Sequence, residues 1–331
     1  MGSITGKLAQ IFVGDSNCPK SLLHRLPERI RRLSTPTGYT PMNAIDWSVP
    51  SNLVIDDHLK AWLQEDIGRG DWTTLGLGPA AGTQPGQAVW VAKAEGVVAG
   101  LPLAGRVFEL LEPGAVLHSE VAEGAHCQPG MTVATIAASM ATLLTGERVA
   151  LNLAMRLSGI ATVTRQYVDG LVGTPTQLVD TRKTTPGLRL LEKYAIRTGG
   201  AVNHRMGLDD AVMIKDNHIA AAGGITAAVT QIRQRIPYPM TIEVETTSLN
   251  QVSEALACKV DIIMLDNMDL ETMRLAVQRI RAISPVVKIE ASGNVTLERL
   301  QEIAATGVDY ISSSAPITRS AWLDLSMRLV N

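Results

Sequence analysis

Six apolar runs, each closed by a polar residue, fill the second half of the sequence and constrain its fold more than any other feature. They are Gln177-Leu-Val-Asp180, Ala211-Val-Met-Ile-Lys215, Met240-Thr-Ile-Glu-Val-Glu245, Asp261-Ile-Ile-Met-Leu-Asp266, Val286-Val-Lys-Ile-Glu290 and Asp309-Tyr-Ile-Ser312. Each is four to six residues long and rich in β-branched residues, and the next follows after enough chain for a helix and two loops. Repeated βα units imply a parallel sheet, and near-continuous apolar strands imply that both faces are covered. A βα barrel meets both conditions and gathers the polar strand ends at one mouth. A doubly wound open sheet would give the same pattern, but no GxGxxG follows a first strand to support a dinucleotide fold.

The preceding region reads as a smaller α/β unit. Ile55, Leu59, Trp62 and Leu63 repeat at helical spacing ahead of the turn-prone Gly68-Arg69-Gly70-Asp71, and residues 87–103 alternate as strands do. Residues 143–157 read as a long buried helix ending near Ser158-Gly159. The expected boundaries are an extension over 1–50, an N-terminal α/β domain over 51–153, the barrel over 154–314, and a C-terminal helix over 315–331 that returns to the N-terminal domain. The first 50 residues lack periodicity and carry Arg25, Arg29, Arg31 and Arg32, so they are expected to lie outside the fold, without order of their own. A transit peptide and a start site placed too early, with Met42 as the alternative, both account for them; Asp15 and Glu28 weaken the first.

Bulk composition excludes several classes. With 46% apolar and 19% charged residues in a chain of 331, a packed core is affordable and wholesale disorder is not expected. A net charge of only -2 gives no global field for nucleic acid or an anionic membrane, so anion binding has to come from local clusters. The most apolar stretch, 133–144, is shorter than the about 20 residues of a membrane span. Three separated cysteines, Cys18, Cys127 and Cys258, point to a reduced cytoplasm rather than a disulfide or zinc framework.

Such a cluster runs from Arg182 to Lys215. Arg182 and Lys183 follow the first barrel strand, His204 and Arg205 lie in a glycine-bounded stretch, and Lys215 ends the next strand, where its charge calls for an anionic partner such as Asp216 or Asp266. Cations from separate loops at one mouth suit a dicarboxylate, a polyphosphate or both, because Arg offers bidentate contacts and Lys a point charge. Glu245 and Asp266 end neighbouring strands and suit Mg2+, sugar hydroxyls or a developing oxocarbenium centre, with simple pairing to Lys215 or Arg182 as the bland account. The small hydroxyl-rich segments after the last two strands, with Ser292, Gly293, Ser312, Ser313, Ser314 and Ala315, are placed where barrels often cradle a phosphate. Asp56-Asp57 reads as a helix start, and no GxxxxGK[ST] is present.

The run from Asp180 to Ile219 resembles the signature of the quinolinate phosphoribosyltransferase family, and the likeness extends from Glu65-Asp-Ile-Gly-Arg-Gly-Asp71 through Gly146-Glu-Arg148 and Ser158-Gly-Ile-Ala-Thr162 to Asp324-Leu-Ser-Met-Arg328. The resemblance implies an open βα barrel of the type II phosphoribosyltransferase class beside a smaller N-terminal α/β sandwich domain. It also implies transfer of a phosphoribosyl group to quinolinate with Mg2+ and loss of CO2, in a cytoplasmic homodimer, or a larger assembly, with shared sites. Relatives of altered specificity, molybdenum-transport-associated or nicotinate-using, are the alternative; a silent phosphate-binding scaffold would be expected to lack Glu245 and Asp266. Carried over, Arg182, His204 and Arg205 would hold the quinolinate carboxylates together with Arg148 of the partner subunit. Lys183, Lys215, Glu245 and Asp266 would be catalytic: the lysines facing phosphate groups, the carboxylates facing the ribose hydroxyls and the metal. Ser292, Gly293 and residues 312–315 would cradle the 5'-phosphate. Ser314 stands where the family usually has glycine, which calls for a negative φ there.

Overall fold

The computed structural model describes residues 49–330. The extension expected over 1–50 therefore lies almost wholly outside the described residues.

The chain starts with helix α1 (Asn52–Ile67), capped by Ser51 and buried through Ile55, Leu59 and Leu63, the stripe that its spacing predicts. Asp56 sits in its second turn and pairs with Arg106 at 2.6 Å. Short helices α2 (Trp72–Gly76) and α3 (Pro79–Gly82) lead to β1 (Pro85–Ala92), β2 (Gly96–Val97), helix α4 (Leu101–Leu111), β3 (Val116–Ser119), β4 (His126–Cys127) and β5 (Thr132–Ser139). Trp90 of β1 and Phe108 of α4, both fully buried, meet edge to face and centre this domain's core.

Helix α5 (Met140–Asp169) contradicts the expected stop near Ser158-Gly159, and the expected 153/154 boundary falls within it. It runs for 30 residues, about 45 Å, and buries Leu143, Gly146, Ala150, Ala154, Leu157, Ala161 and Thr164 at steps of three or four. Gly159 is not a terminator but a contact point: a β-carbon there would fall 1.9 Å from the carbonyl oxygen of Ala321. Ser158 and Thr162 serve the same seam, accepting the backbone N–H groups of Ala99 and Val97 at 2.9 and 2.8 Å. The glycine and hydroxyls dock other chain segments onto a helix that both domains share.

The barrel follows as β6 (Gln177–Val179), α6 (Arg189–Thr198), β7 (Val212–Ile214), α7 (Asp216–Ala222), α8 (Ile225–Arg233), β8 (Ile242–Thr246), α9 (Leu249–Ala257), β9 (Ile262–Asp266), α10 (Leu270–Ile283), β10 (Lys288–Ser292), a 3-10 turn (Leu297–Arg299), α11 (Leu300–Ala304) and β11 (Tyr310–Ser312). All six apolar runs are strands, in the order β6-β11-β10-β9-β8-β7 and parallel throughout. Strands β6 and β7 end the sheet and are not paired with each other; beside β6 lies only an isolated parallel bridge from Val179 to Val202 of the loop before β7, among the described residues, so the barrel is open there. Register fixes what faces inward. Glu243 pairs with Ile262, Glu245 and Glu290 both pair with Met264, Ser292 with Asp266 and Glu290 with Tyr310. Neighbours in register share a face, so one face of the sheet carries these polar side chains. The alternate residues, Ile242, Val244, Ile263, Leu265, Ile289, Ala291 and Ile311, are all 1% exposed or less, each worth about 1.5–3 kcal/mol of apolar burial for the larger side chains.

Residues 315–330 also correct the expectation of a C-terminal helix over 315–331. They return to the N-terminal domain, but as a strand: after the single turn α12 (Ala315–Thr318), β12 (Leu325–Val330) pairs antiparallel with β1 from Ala92↔Leu325 to Gln87↔Val330. Leu325 and Met327 alternate with Ser326 and Arg328, a period of two that suits a sheet and not a helix. The small sheet is thereby ordered β12-β1-β5-β3.

Candidate active site

Two loops bring the cations together, one following β6 and one leading from α6 into β7. The first, residues 181–188, is pinned from below. Thr185 donates through both its N–H and its hydroxyl to Glu192, at 2.8 Å each, and buried Glu192 pairs with Arg156 of α5 at 2.8 Å. Arg189 ties the first loop to the second, donating to Thr184 Oγ1 and to the Met206 carbonyl.

The second loop, 199–211, is anchored by buried Asp180, which accepts from Lys193 Nζ, from Asn203 Nδ2 at 2.7 Å and from the His204 N–H at 2.8 Å. Lys193 Nζ also donates to the His204 carbonyl at 2.9 Å. Both charges are 1% exposed. Burial pushes the Asp180 carboxyl up and the Lys193 ammonium down, and the three donors converging on Asp180 act against that shift.

These loops and the inward strand residues enclose a cavity of about 230 Å³, lined by Arg182, Lys183, His204, Arg205, Lys215, Ser292 and Ser312, with Met213 and Met264 as apolar floor. Arg182 and Arg205 each keep a buried Nε without a partner. Burial and the nearby Arg182 charge both lower the Arg205 pKa, so the pair of guanidiniums favours an anion between them. Lys215 finds its anionic partner in Glu245, at 3.0 Å, rather than in Asp216 or Asp266.

His204 is held differently from the expectation of a direct carboxylate contact. Its Nε2 lies 3.0 Å from Glu243 Oε2 and 3.5 Å from Glu290 Oε2, and its Nδ1 accepts the Arg205 backbone N–H at 2.8 Å. Burial pulls the imidazole down, but the hydrogen bonds and charges of the two glutamates outweigh it and push it up to about 10. Burial and the Glu290 charge raise Glu243 as well. An imidazolium beside two carboxylates and a neutral imidazole beside one protonated carboxyl carry the same number of protons. The Arg205 N–H, which needs the Nδ1 lone pair, selects the second, with the proton on Nε2.

Of the remaining predicted residues, Glu245 touches the cavity only through Lys215, and Asp266 lies at the next strand end, accepting from Asn267 at 2.8 Å. Gly293 does not line the cavity but shapes its rim: its φ is +91°, and a β-carbon would fall 2.1 Å from Asn267 Oδ1. Ser313 and Ala315 are buried behind Ser312, the Ser313 N–H donating to the Val179 carbonyl. Ser314 has φ −90° and ψ −11°, so a side chain in place of glycine costs no strain. Arg148 is not brought to the cavity; it is exposed on α5 in a separate cleft with Trp62, Glu65, Asp66, Asn152 and Leu153. Sequence reasoning missed Glu243, Glu290, Lys193, Glu192 and Arg156. For the two strand glutamates the signal was present, since Glu243 sits two residues before Glu245 and so faces the same way, and Glu290 itself closes an apolar run.

Comparison with known proteins identifies the family. Residues 71–158 match the family model described as the N-terminal domain of quinolinate phosphoribosyl transferase, and residues 160–328 match its C-terminal domain. The chain is 60% identical over 294 residues to a probable carboxylating nicotinate-nucleotide pyrophosphorylase of Synechocystis sp., covering 89% of this chain and 97% of that one. It is 41% identical to the carboxylating nicotinate-nucleotide pyrophosphorylase of Mycobacterium leprae, covering 82% and 96%. The crystal structure of NadC from Streptococcus pyogenes superposes with a TM-score of 0.80 at 41% identity, over 85% of this chain and 98% of that one. The chain belongs to the quinolinate phosphoribosyltransferase family.

Proposed function

We propose that the chain transfers the phosphoribosyl group of phosphoribosyl pyrophosphate to quinolinate with decarboxylation, giving nicotinate mononucleotide, pyrophosphate and CO2 in de novo NAD biosynthesis. The observation that carries this reading is the pair of buried, unpartnered Nε atoms of Arg182 and Arg205 in one cavity wall. Two adjacent carboxylates satisfy both guanidiniums and offset their mutual repulsion. Held there, the pyridine nitrogen attacks the anomeric carbon as its bond to pyrophosphate breaks. The carboxylate beside the nitrogen then leaves as CO2, its electron pair remaining on a ring carbon next to the positive nitrogen until a proton arrives.

Lys183 and Lys215 supply cations for the phosphate oxygens, and Ser292 and Ser312, the hydroxyls that line the cavity, take the 5'-phosphate. Glu245 and Asp266 form an oxygen-only donor pair at adjacent strand ends, which suits a hard ion. Mg2+ held by them would neutralise charge on the departing pyrophosphate. Exposed Arg148, away from the cavity of its own chain, completes the site of a second copy in a homodimer with shared sites. No helix among the described residues is long and apolar enough to cross a membrane, and the cysteine pattern supports a cytoplasmic enzyme.

Purified protein mixed with quinolinate, phosphoribosyl pyrophosphate and Mg2+ should release CO2 and pyrophosphate in equal amounts, while nicotinate should be turned over poorly. Arg182→Ala should lower kcat/KM for quinolinate about 10- to 100-fold, the loss of charge-assisted hydrogen bonds. Equal turnover of nicotinate, or no release, overturns the reading.

A further inference from the structure

His204 is bolted at four points. Its N–H donates to Asp180 and its carbonyl accepts from Lys193, while its ring is gripped on one side by Glu243 and Glu290 and on the other by the Arg205 N–H. Both ring nitrogens are therefore committed within the protein. Glu243 and Glu290 are each 2% exposed, and each keeps one buried oxygen, Oε1, without a partner. Two acidic side chains in the barrel interior are costly to bury, and that cost is offset by the contact with His204 and, for Glu243, by the Arg205 charge. The three ligand atoms lie within 4.8 Å of one another, a spacing that would suit a cation. The direction of the Arg205 hydrogen bond argues against one, because it leaves the proton on Nε2, and a protonated nitrogen is no ligand.

We propose that Glu243 and Glu290 are positioning residues for the dicarboxylate site: they hold the His204 ring, and the ring holds the Arg205 backbone so that its guanidinium faces the cavity beside Arg182. His204 acts through Arg205 and does not itself grip the substrate with a ring nitrogen. Arg205 has one further tether, its Nη1 donating to the Ala211 carbonyl at 2.8 Å, on the far side of the same loop. Without the ring beneath it, the Arg205 backbone N–H loses its side-chain acceptor. The inference rests on reading this cavity as the quinolinate site. It assigns to Glu243, and to Glu290 in the cavity wall, a selective effect on one substrate.

The test uses full-length Glu243→Gln, Glu290→Gln and His204→Asn, each assayed with quinolinate and phosphoribosyl pyrophosphate varied separately. Glu243→Gln should raise the KM for quinolinate about tenfold while the KM for phosphoribosyl pyrophosphate and kcat stay within about twofold. In the His204→Asn background, Glu243→Gln should add nothing to the quinolinate KM, since the relay is already cut. Glu290→Gln, at the longer contact, should show the same pattern more weakly and serves if Glu243→Gln does not fold. An unchanged quinolinate KM, equal damage to both substrates, or additive effects of Glu243→Gln and His204→Asn would overturn the proposal. Failure of the functional reading is separate: it shows as a wild-type protein that turns over no quinolinate.

Discussion

Lys193→Met removes one charge from a pair that has almost no contact with solvent. Lys193 and Asp180 are each 1% exposed, so the carboxylate left behind cannot be rehydrated where it stands. Breaking a buried pair on one side costs about 3–5 kcal/mol. Asp180 retains the donors of Asn203 and the His204 N–H, which places the loss near the lower end, about 3 kcal/mol. For a domain of this size that is about 6–12 °C in Tm. Urea unfolding followed by circular dichroism at 25 °C measures the loss directly, with the slope checked for constancy. Asp180→Asn in the Lys193→Met background should restore about half of the stability, because a neutral amide needs no countercharge, giving a coupling above about 1 kcal/mol. A loss below about 1 kcal/mol for Lys193→Met, or two substitutions that simply add, would refute the claim that the pair is ionised and mutually dependent.

Two other outcomes follow from the geometry. Asp71 caps α2 through Thr74 and reaches Thr145 on α5, and the hydrogen bonds from Thr74 hold its carboxyl below the usual range. A depressed folded value means stability that is present above the unfolded value, about 4, and is lost as pH falls through the folded one. Asp71→Asn should cost about 1 kcal/mol at pH 7, with its gap to wild type narrowing toward pH 3; a gap independent of pH in urea titrations would show that ionisation plays no part. Mixing Arg148→Ala with Arg182→Ala subunits should recover about a quarter of the wild-type rate, since half of the dimers are mixed and each has one intact site. No recovery after subunit exchange would place Arg148 outside the shared site.

The parallel sheet was legible because β-branched runs at regular spacing have few other solutions, and the cation cluster because Arg182, Lys183, His204, Arg205 and Lys215 sit beside those runs. Glu243 was within reach of strand parity from Glu245, and Glu290 closes the fifth apolar run, but neither stands beside the cation cluster in the sequence. Lys193 and Glu192 were not legible. They lie side by side in a helix of mixed charge, and only the tertiary arrangement shows that one meets Asp180 and the other Arg156. Ser158-Gly159 misled for a related reason: glycine breaks helices on average, whereas here its missing side chain admits the Ala321 backbone, a partner 162 residues away. The closing strand was misjudged because six residues hold too few periods to separate a helix from a strand, and the decision was made by the free edge of β1.

That last strand has a consequence for how the molecule is made. The sheet of the small domain takes one outer strand, β12, from chain that is synthesised after the whole barrel. During translation β1 therefore presents an unsatisfied edge for as long as the barrel takes to emerge, and the small domain cannot finish folding first, although most of it is made first. Its completion waits on the barrel, so a truncation that removes only residues 325–330 should leave a stalled intermediate with an adhesive β edge rather than a slightly shortened enzyme.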